Sequence, residues 1–211
     1  LFRSKEGFSI FLSTIAINVY TASTVVILGL LTNNMIVGYY TAAQKILDAI
    51  KGIMNTIMQA VFPYSSRLLI ENLEKGKIFM KRLLFLYTGF FGICSILIFF
   101  CSSYIFVILG GRYMPESAYI LEILGLIPFV VSISNVYGVQ ILINLNHQKL
   151  FSNIIICGAI INLLCIYPAI HWFSAIGAAW TYFITELLIT FLTFYFVECH
   201  LKYKLVTSAH S

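Results

Sequence analysis

The stretch YYTAAQKILDAIKGIMNTIMQAVF, Tyr39 to Phe62, is long enough to cross a bilayer yet carries Lys45, Asp48 and Lys51 in its body. An ionisable side chain at mid-membrane costs about 2.5 to 3.5 kcal/mol on insertion scales, whereas each Leu, Ile, Val or Phe returns only about 0.3 to 0.6. Three charges therefore outweigh the seven such residues from Ile46 to Phe62. On a 3.6-residue period Gln44, Asp48, Lys51, Asn55 and Gln59 share one face, while Ile46, Ile50, Ile53, Ile57 and Val61 take the other side. The pattern predicts a spanning helix with a wet face. An amphipathic helix lying flat in the headgroup region has the same periodicity. Lys45 with Asp48, and Asp48 with Lys51, also sit three residues apart, where structural self-neutralisation is the competing reading.

The surroundings favour a span. The 211-residue chain is 60% hydrophobic, 16% aromatic and only 10% charged, too little polar surface to coat a soluble globule. Its apolar runs are long and continuous rather than alternating, which predicts an all-α, polytopic membrane protein and not a transmembrane barrel. The net charge of +5 is placed at segment ends, and no basic, aromatic-interleaved patch suggests nucleic acid as a partner. The five cysteines have no CxxC spacing and mostly lie in apolar runs, as small buried residues do.

Outward from that helix, the pattern predicts six spans, about 8–31, 39–62, 83–108, 117–143, 150–170 and 175–197, forming one membrane lobe over residues 1–211. In the first, Thr14, Asn18 and Thr21 share a face. Two readings stand for them: lining the same wet cavity, or hydrogen-bonding to a neighbouring helix. Thr32 to Gly38 reads as a turn. Pro63 is expected to close the second span, and Ser65 to Arg82 to form the longest connection. The third span carries a Gly89/Gly92 pair suited to close packing. The fourth follows a GGRYMPES turn, holds Glu122, Ser132, Asn135 and Gln140, and should kink at Pro128. The fifth carries Asn153 and Asn162. The sixth opens on the small residues Ala175, Gly177, Ala178 and Ala179, and continues in a weaker polar stripe of Tyr182, Glu186, Thr190 and Thr193.

Ten Lys and Arg residues fall on one side of this six-span layout and Arg112 alone on the other, so both ends are expected in the cytoplasm. No P-loop, GxSxG elbow or HExxH helix is present, so no enzyme chemistry and no metal or organic cofactor is expected. His147 and His171 fall at opposite faces, and His200 and His210 in the tail. Glu122 and Glu186 read as cavity-facing or ion-coupling groups.

Several features together resemble a known family. They are YYTAAQKI opening the polar-faced span, Pro63 and Tyr64 ending it, Gly110, Gly111, Arg112 and Tyr113, the GVQILI run from Gly138 to Ile143, Asn162, and IGAAW at Ile176 to Trp180. In this order they resemble the polysaccharide flippases of the multidrug/oligosaccharidyl-lipid/polysaccharide exporter superfamily, the O-antigen transporters in particular. The resemblance implies two six-helix lobes enclosing a central cavity in the bacterial inner membrane. This chain would be the carboxy-terminal lobe, with a missing amino-terminal lobe as its partner. It also implies alternating access that moves a polyprenyl-diphosphate-linked oligosaccharide from the cytoplasmic to the periplasmic leaflet. A diphosphate calls for cationic donors, for which Lys45 and Lys51 beside Gln44, Asn55, Gln59 and Asn18 are suited, Lys51 first. Asp48, Glu122 and Glu186 are the candidates for H+ or Na+ coupling. A multidrug antiporter of the same superfamily and a membrane polysaccharide polymerase are the alternatives; a polymerase would need a sizeable external loop.

Overall fold

The computed structural model describes residues 2–110 and 114–201, and every element in them is helical. Among the described residues four stretches are long and apolar enough to cross a membrane, Phe11–Leu31, Leu73–Ile108, Pro115–Ile143 and Gln148–Cys199, and the expected span 39–62 is not one of them. Residues 111–113 of the GGRYMPES turn, with Arg112, lie outside the described residues, as do Lys202, Lys204 and His210 in the tail.

Helix α1 (Phe2–Leu31) ends just before Asn33, whose side chain accepts a 3.0 Å hydrogen bond from the Ile36 amide and caps α2 (Asn34–Glu71). The Asx cap satisfies an otherwise orphaned N–H, so the turn is shorter than the expected 32–38. Helix α2 runs through Pro63 without ending, and α3 (Leu73–Gly110) starts after Asn72 alone. The long loop expected over 65–82 is therefore two helix ends joined by one residue. Asn72 serves both: its amide donates to the Leu68 carbonyl, and its side chain accepts from the Lys75 amide at 3.0 Å. Gly76 lets the two ends cross closely, because a Cβ there would lie 2.7 Å from a Leu69 methyl and 3.2 Å from its Cα. At 1.5 Å per residue, 38 residues measure about 57 Å, well beyond a hydrocarbon core of about 30 Å. The charged positions 67 to 82 occupy this surplus.

The expected break near Pro128 is present. Helix α4 (Pro115–Leu124) stops at Gly125, and α5 (Ile127–Ser134) restarts with Pro128 in its first turn, where its missing N–H costs least. Ser95 on α3 accepts from the Phe129 amide at 3.1 Å. A Cβ on Gly125 would press into the Ile98 side chain. The chain continues as a π-helical segment, Asn135–Ile143. Of the glycine pair in α3, Gly92 faces Phe129, where a Cβ would approach the ring to 3.2 Å; Gly89 faces no other group within 4 Å. Only half of that pair serves helix packing.

Helix α6 (Gln148–Phe196) has 49 residues, about 73 Å if straight and more than twice a bilayer core. It is not straight. Ser174 adopts φ 54°, ψ −136°, and the chain reverses there. The contacts across the bend have antiparallel register: Asn162 donates to Thr185 at 2.9 Å, Gly158 faces Ile189 and Gly177 faces the Ala169 carbonyl. Gly177 is required, because a Cβ would occupy the position of that backbone oxygen. The buried Ala175, Ala178 and Ala179 extend the small surface that lets the limbs meet.

Candidate functional site: an ion pair inside the helix bundle

The inward face of α2 is the stripe Tyr40, Ala43, Leu47, Met54 and Met58, all buried, and Lys51 occupies the gap in it. Its Nζ donates to Glu186 Oε1 at 2.9 Å and to the Tyr182 hydroxyl at 2.8 Å, both on the second limb of α6. Tyr20 on α1 donates to the same Glu186 oxygen at 3.1 Å, and its ring stands edge-on to that of Tyr182 with centroids 5.8 Å apart. Three helices thus converge on one carboxylate. The Lys51 side chain keeps 20% of its surface exposed and that of Glu186 only 8%.

This arrangement revises the sequence reading at several points. Lys51 and Glu186, assigned there to separate roles, form one unit. Among the described residues the ion pairs are Lys51–Glu186 and Lys77–Glu74. Neither the Lys45–Asp48 nor the Asp48–Lys51 spacing closes a pair. Lys51 also leaves the face it was expected to share. Lys45 and Asp48 are exposed, Asn55 and Gln59 are exposed beside the interior face toward α1, and Gln44 is half-buried at the border. The physical reason is rotational: the interior lies toward Met54 and Met58, and position 51 falls in line with them while 48, 55 and 59 do not.

In α1 the interior face is Ser13, Tyr20, Thr24 and Leu28, displaced from the stripe Thr14, Asn18 and Thr21. Asn18 is exposed, and the Thr21 hydroxyl bonds within its own helix to the Ile17 carbonyl at 2.8 Å. Thr14 does meet α2. With Ser13, Asn55, Gln59, Asn135 and Gln148 it lines a cavity of about 420 Å³ where α1, α2, the π-helical segment and the start of α6 come together. Tyr20 was missed by sequence reading. A tyrosine inside an apolar helix is the available signal, since its hydroxyl requires a partner when buried.

Beyond the ion pair, toward the α2–α3 tip, is a second buried polar cluster. Ser65 donates to Gln140 Oε1 at 2.5 Å and accepts from Asn144 at 3.1 Å, while Gln140 Nε2 donates to the Met58 carbonyl at 2.9 Å. This cluster joins the π-helical segment to the turns of α2 on either side of Pro63. Glu122 lies elsewhere, half-buried and accepting from Ser102 on α3 at 3.0 Å, so the three carboxylates Asp48, Glu122 and Glu186 do not form one site. Asn162 is paired with Thr185, whereas Asn153 is exposed. No cluster of three potential metal ligands occurs among the described residues.

Long apolar helices packed around an interior salt bridge mark a multi-pass membrane protein. Comparisons with known proteins show what the chain is similar to. Residues 2–69 match the family described as "Polysaccharide biosynthesis protein". The chain is 37% identical over 193 residues to the "Putative O-antigen transporter" of Escherichia coli (strain K12). It is 34% identical over 188 residues to the protein of the same name from Shigella dysenteriae. These alignments cover 92% and 88% of this chain but 46% of each relative, so the chain spans about half the length of the curated relatives it matches. No solved structure matches. The resemblance to O-antigen transporters read from the sequence holds, and it extends over most of this chain.

Proposed function

We propose that this chain is one six-span lobe of an inner-membrane flippase, moving polyprenyl-diphosphate-linked oligosaccharide units from the cytoplasmic to the periplasmic leaflet by alternating access. The observation that carries the reading is the Lys51–Glu186 ion pair with its two tyrosines, held inside the bundle next to an open polar face. An intramembrane ion pair is expensive and marks a functional centre by default. The names of the two relatives supply the substrate class.

The sixth and fifth spans are the two limbs of α6, and α2 is the charged span between α1 and α3. Positive charge on the α2–α3 tip supports a cytoplasmic position for it. Within this reading Lys45, with Gln44, Asn18, Asn55 and Gln59, meets the sugar-diphosphate on the open face. Lys51 is held by Glu186 in the resting state and becomes a phosphate donor when that pair opens. Release of the Glu186 carboxylate gives H+ or Na+ a place to bind, which couples the ion to the movement. Asp48 sits on the open face, and Glu122 is farther from the path. The amino-terminal half of the full-length protein supplies the opposite wall.

The test is genetic and biochemical. Deleting the full-length gene is expected to accumulate lipid-linked oligosaccharide on the cytoplasmic side and to remove the surface polymer. Wild type restores the polymer, whereas Lys51→Met and Lys45→Ala restore it poorly, the exposed Lys45→Ala at normal protein levels. Unchanged surface polysaccharide in the deletion strain, with normal lipid-linked pools, overturns the reading.

A further inference from the structure

The cavity of about 420 Å³ between α1, α2, the π-helical segment and the first limb of α6 is polar without being charged. Two hydroxyls, Ser13 and Thr14, and four carboxamides, Asn55, Gln59, Asn135 and Gln148, line it among apolar side chains, and none of its described lining residues is ionisable. Its size falls within the range of ligand cavities, about 300 to 1,000 Å³, and so does its make-up of a mostly apolar wall with a few placed polar groups. In that wall Asn135 Nδ2 is buried with no hydrogen-bond partner; the neighbouring Tyr87 hydroxyl donates to the Met54 carbonyl at 3.0 Å instead. A buried donor left open in a cavity calls for an acceptor to enter it.

The fold fixes these walls. The π-helical segment brings Asn135, Val139 and Ile143 to the cavity, and such segments recur at functional sites. Gly138 lets the Phe151 ring lie directly on that segment, because a Cβ there would overlap the ring. With Phe62, Phe151 gives the cavity aromatic faces. Asn55 and Gln59 follow Lys51 by one and two turns, about 6 and 12 Å along the helix axis, so a group joined to an anion on Lys51 reaches them. Carboxamides both donate to and accept from ring hydroxyls, and aromatic faces suit the apolar C–H side of a sugar ring. Charge decides which sugar: a carboxylate entering here finds no cation in the lining, and Lys51 is already held by Glu186 at 2.9 Å.

We propose that this cavity is a specificity subsite for an uncharged sugar ring of the transported oligosaccharide and rejects a uronic acid at that position. This rests on the function proposed above, in which Lys51 takes the phosphate, and adds the class of sugar that is read beside it. The ring accepts from Asn135 Nδ2 and exchanges hydrogen bonds with Asn55 and Gln59. A uronate ring leaves an ionised carboxylate desolvated and unpaired.

The full-length protein in nanodiscs is photolabelled with a diazirine-bearing methyl glucoside, the corresponding methyl glucuronide and a diazirine-bearing alkane, and adducts are mapped by peptide sequencing. Glucoside adducts are expected to concentrate on cavity residues such as Ile143 and Phe151, and to exceed glucuronide adducts there about fivefold, the penalty of an unpaired carboxylate at a half-open site. Gln59→Arg, at an exposed position, supplies a cation and reverses the preference. Gln59→Leu lowers glucoside labelling without admitting the glucuronide. Alkane labelling of Phe90 and Phe100, exposed on α3, stays constant in both variants and controls for folding. Equal labelling by the two sugars, glucoside adducts spread outside the cavity, an unchanged preference in Gln59→Arg, or alkane adducts in the cavity that the glucoside does not displace would each overturn the proposal. The outcome is separate from that of the deletion test. Surface polymer lost in the deletion strain with no glucoside labelling refutes this subsite alone, whereas normal polymer with cavity labelling refutes the flippase reading and leaves the sugar site.

Discussion

Replacing Lys51 by Met removes the charge but keeps most of the side-chain volume, and it should be among the most damaging single changes in the protein. The 2.9 Å Nζ–Oε1 contact corresponds to a direct attraction of about 6 kcal/mol at an effective dielectric of about 20. Much of that offsets the desolvation of both groups, and the residual exposure of Lys51 weakens it further. A net coupling of about 2 to 3 kcal/mol remains. Each single variant should cost about 3 kcal/mol or more: Lys51→Met strands a buried carboxylate, and Glu186→Gln strands a buried ammonium. The double variant should cost markedly less than the sum of the two, because neither charge is then left alone. Equilibrium unfolding in mixed micelles, read by far-ultraviolet circular dichroism for wild type, both singles and the double, closes the cycle. Additive singles, with a coupling below about 0.5 kcal/mol, would refute the claim that this ion pair organises the three converging helices.

Other expectations follow from neighbouring contacts. Tyr20→Phe should cost about 0.6 kcal/mol in the same assay, the average for an interhelical hydrogen bond in a membrane, since the ring packing against Tyr182 is kept. Gly177→Ala should destabilise by about 3 kcal/mol or prevent folding, because the added methyl meets the Ala169 backbone and not a movable side chain; Gly89→Ala, with open space, should be neutral within about 0.5 kcal/mol. Gln140→Leu should cost about 1 kcal/mol by removing its hydrogen bonds to the Ser65 hydroxyl and the Met58 carbonyl. In cells, a thiol probe that does not cross membranes should label Trp172→Cys, exposed at the α6 bend, and spare Lys75→Cys; the reverse pattern would invert the orientation inferred from charge.

Membrane residence, helical class and the place of most helices are set by composition and by the length of apolar runs, which depend only on the chain. The Pro128 break and the small-residue contact at Gly177 were readable for the same reason, since a missing N–H and a missing Cβ act locally. The glycine that packs, Gly92, and the one that does not, Gly89, look alike in sequence; which helix lies opposite each is a tertiary fact. The continuation of α2 through Pro63 was hidden because a proline near a span end usually marks a stop, whereas Tyr64 against Phe79 and Leu69 against Gly76 keep the helix in contact with α3. The charges of α2 are plain in the sequence, but their grouping is not. Helical period places Lys51 almost equally near Asp48 and Met54, and only the position of α6 decides between them. Glu186 lies 135 residues away in the chain, and no local pattern encodes a partner at that separation. The sequence alone therefore determined that charge is carried on a long helix of a largely apolar chain. The packing of α1, α2 and α6 decided that Lys51 pairs with Glu186 while Lys45 and Asp48 stay exposed and Asn55 and Gln59 line the cavity beside α1, because pairing requires proximity and proximity arises from the fold.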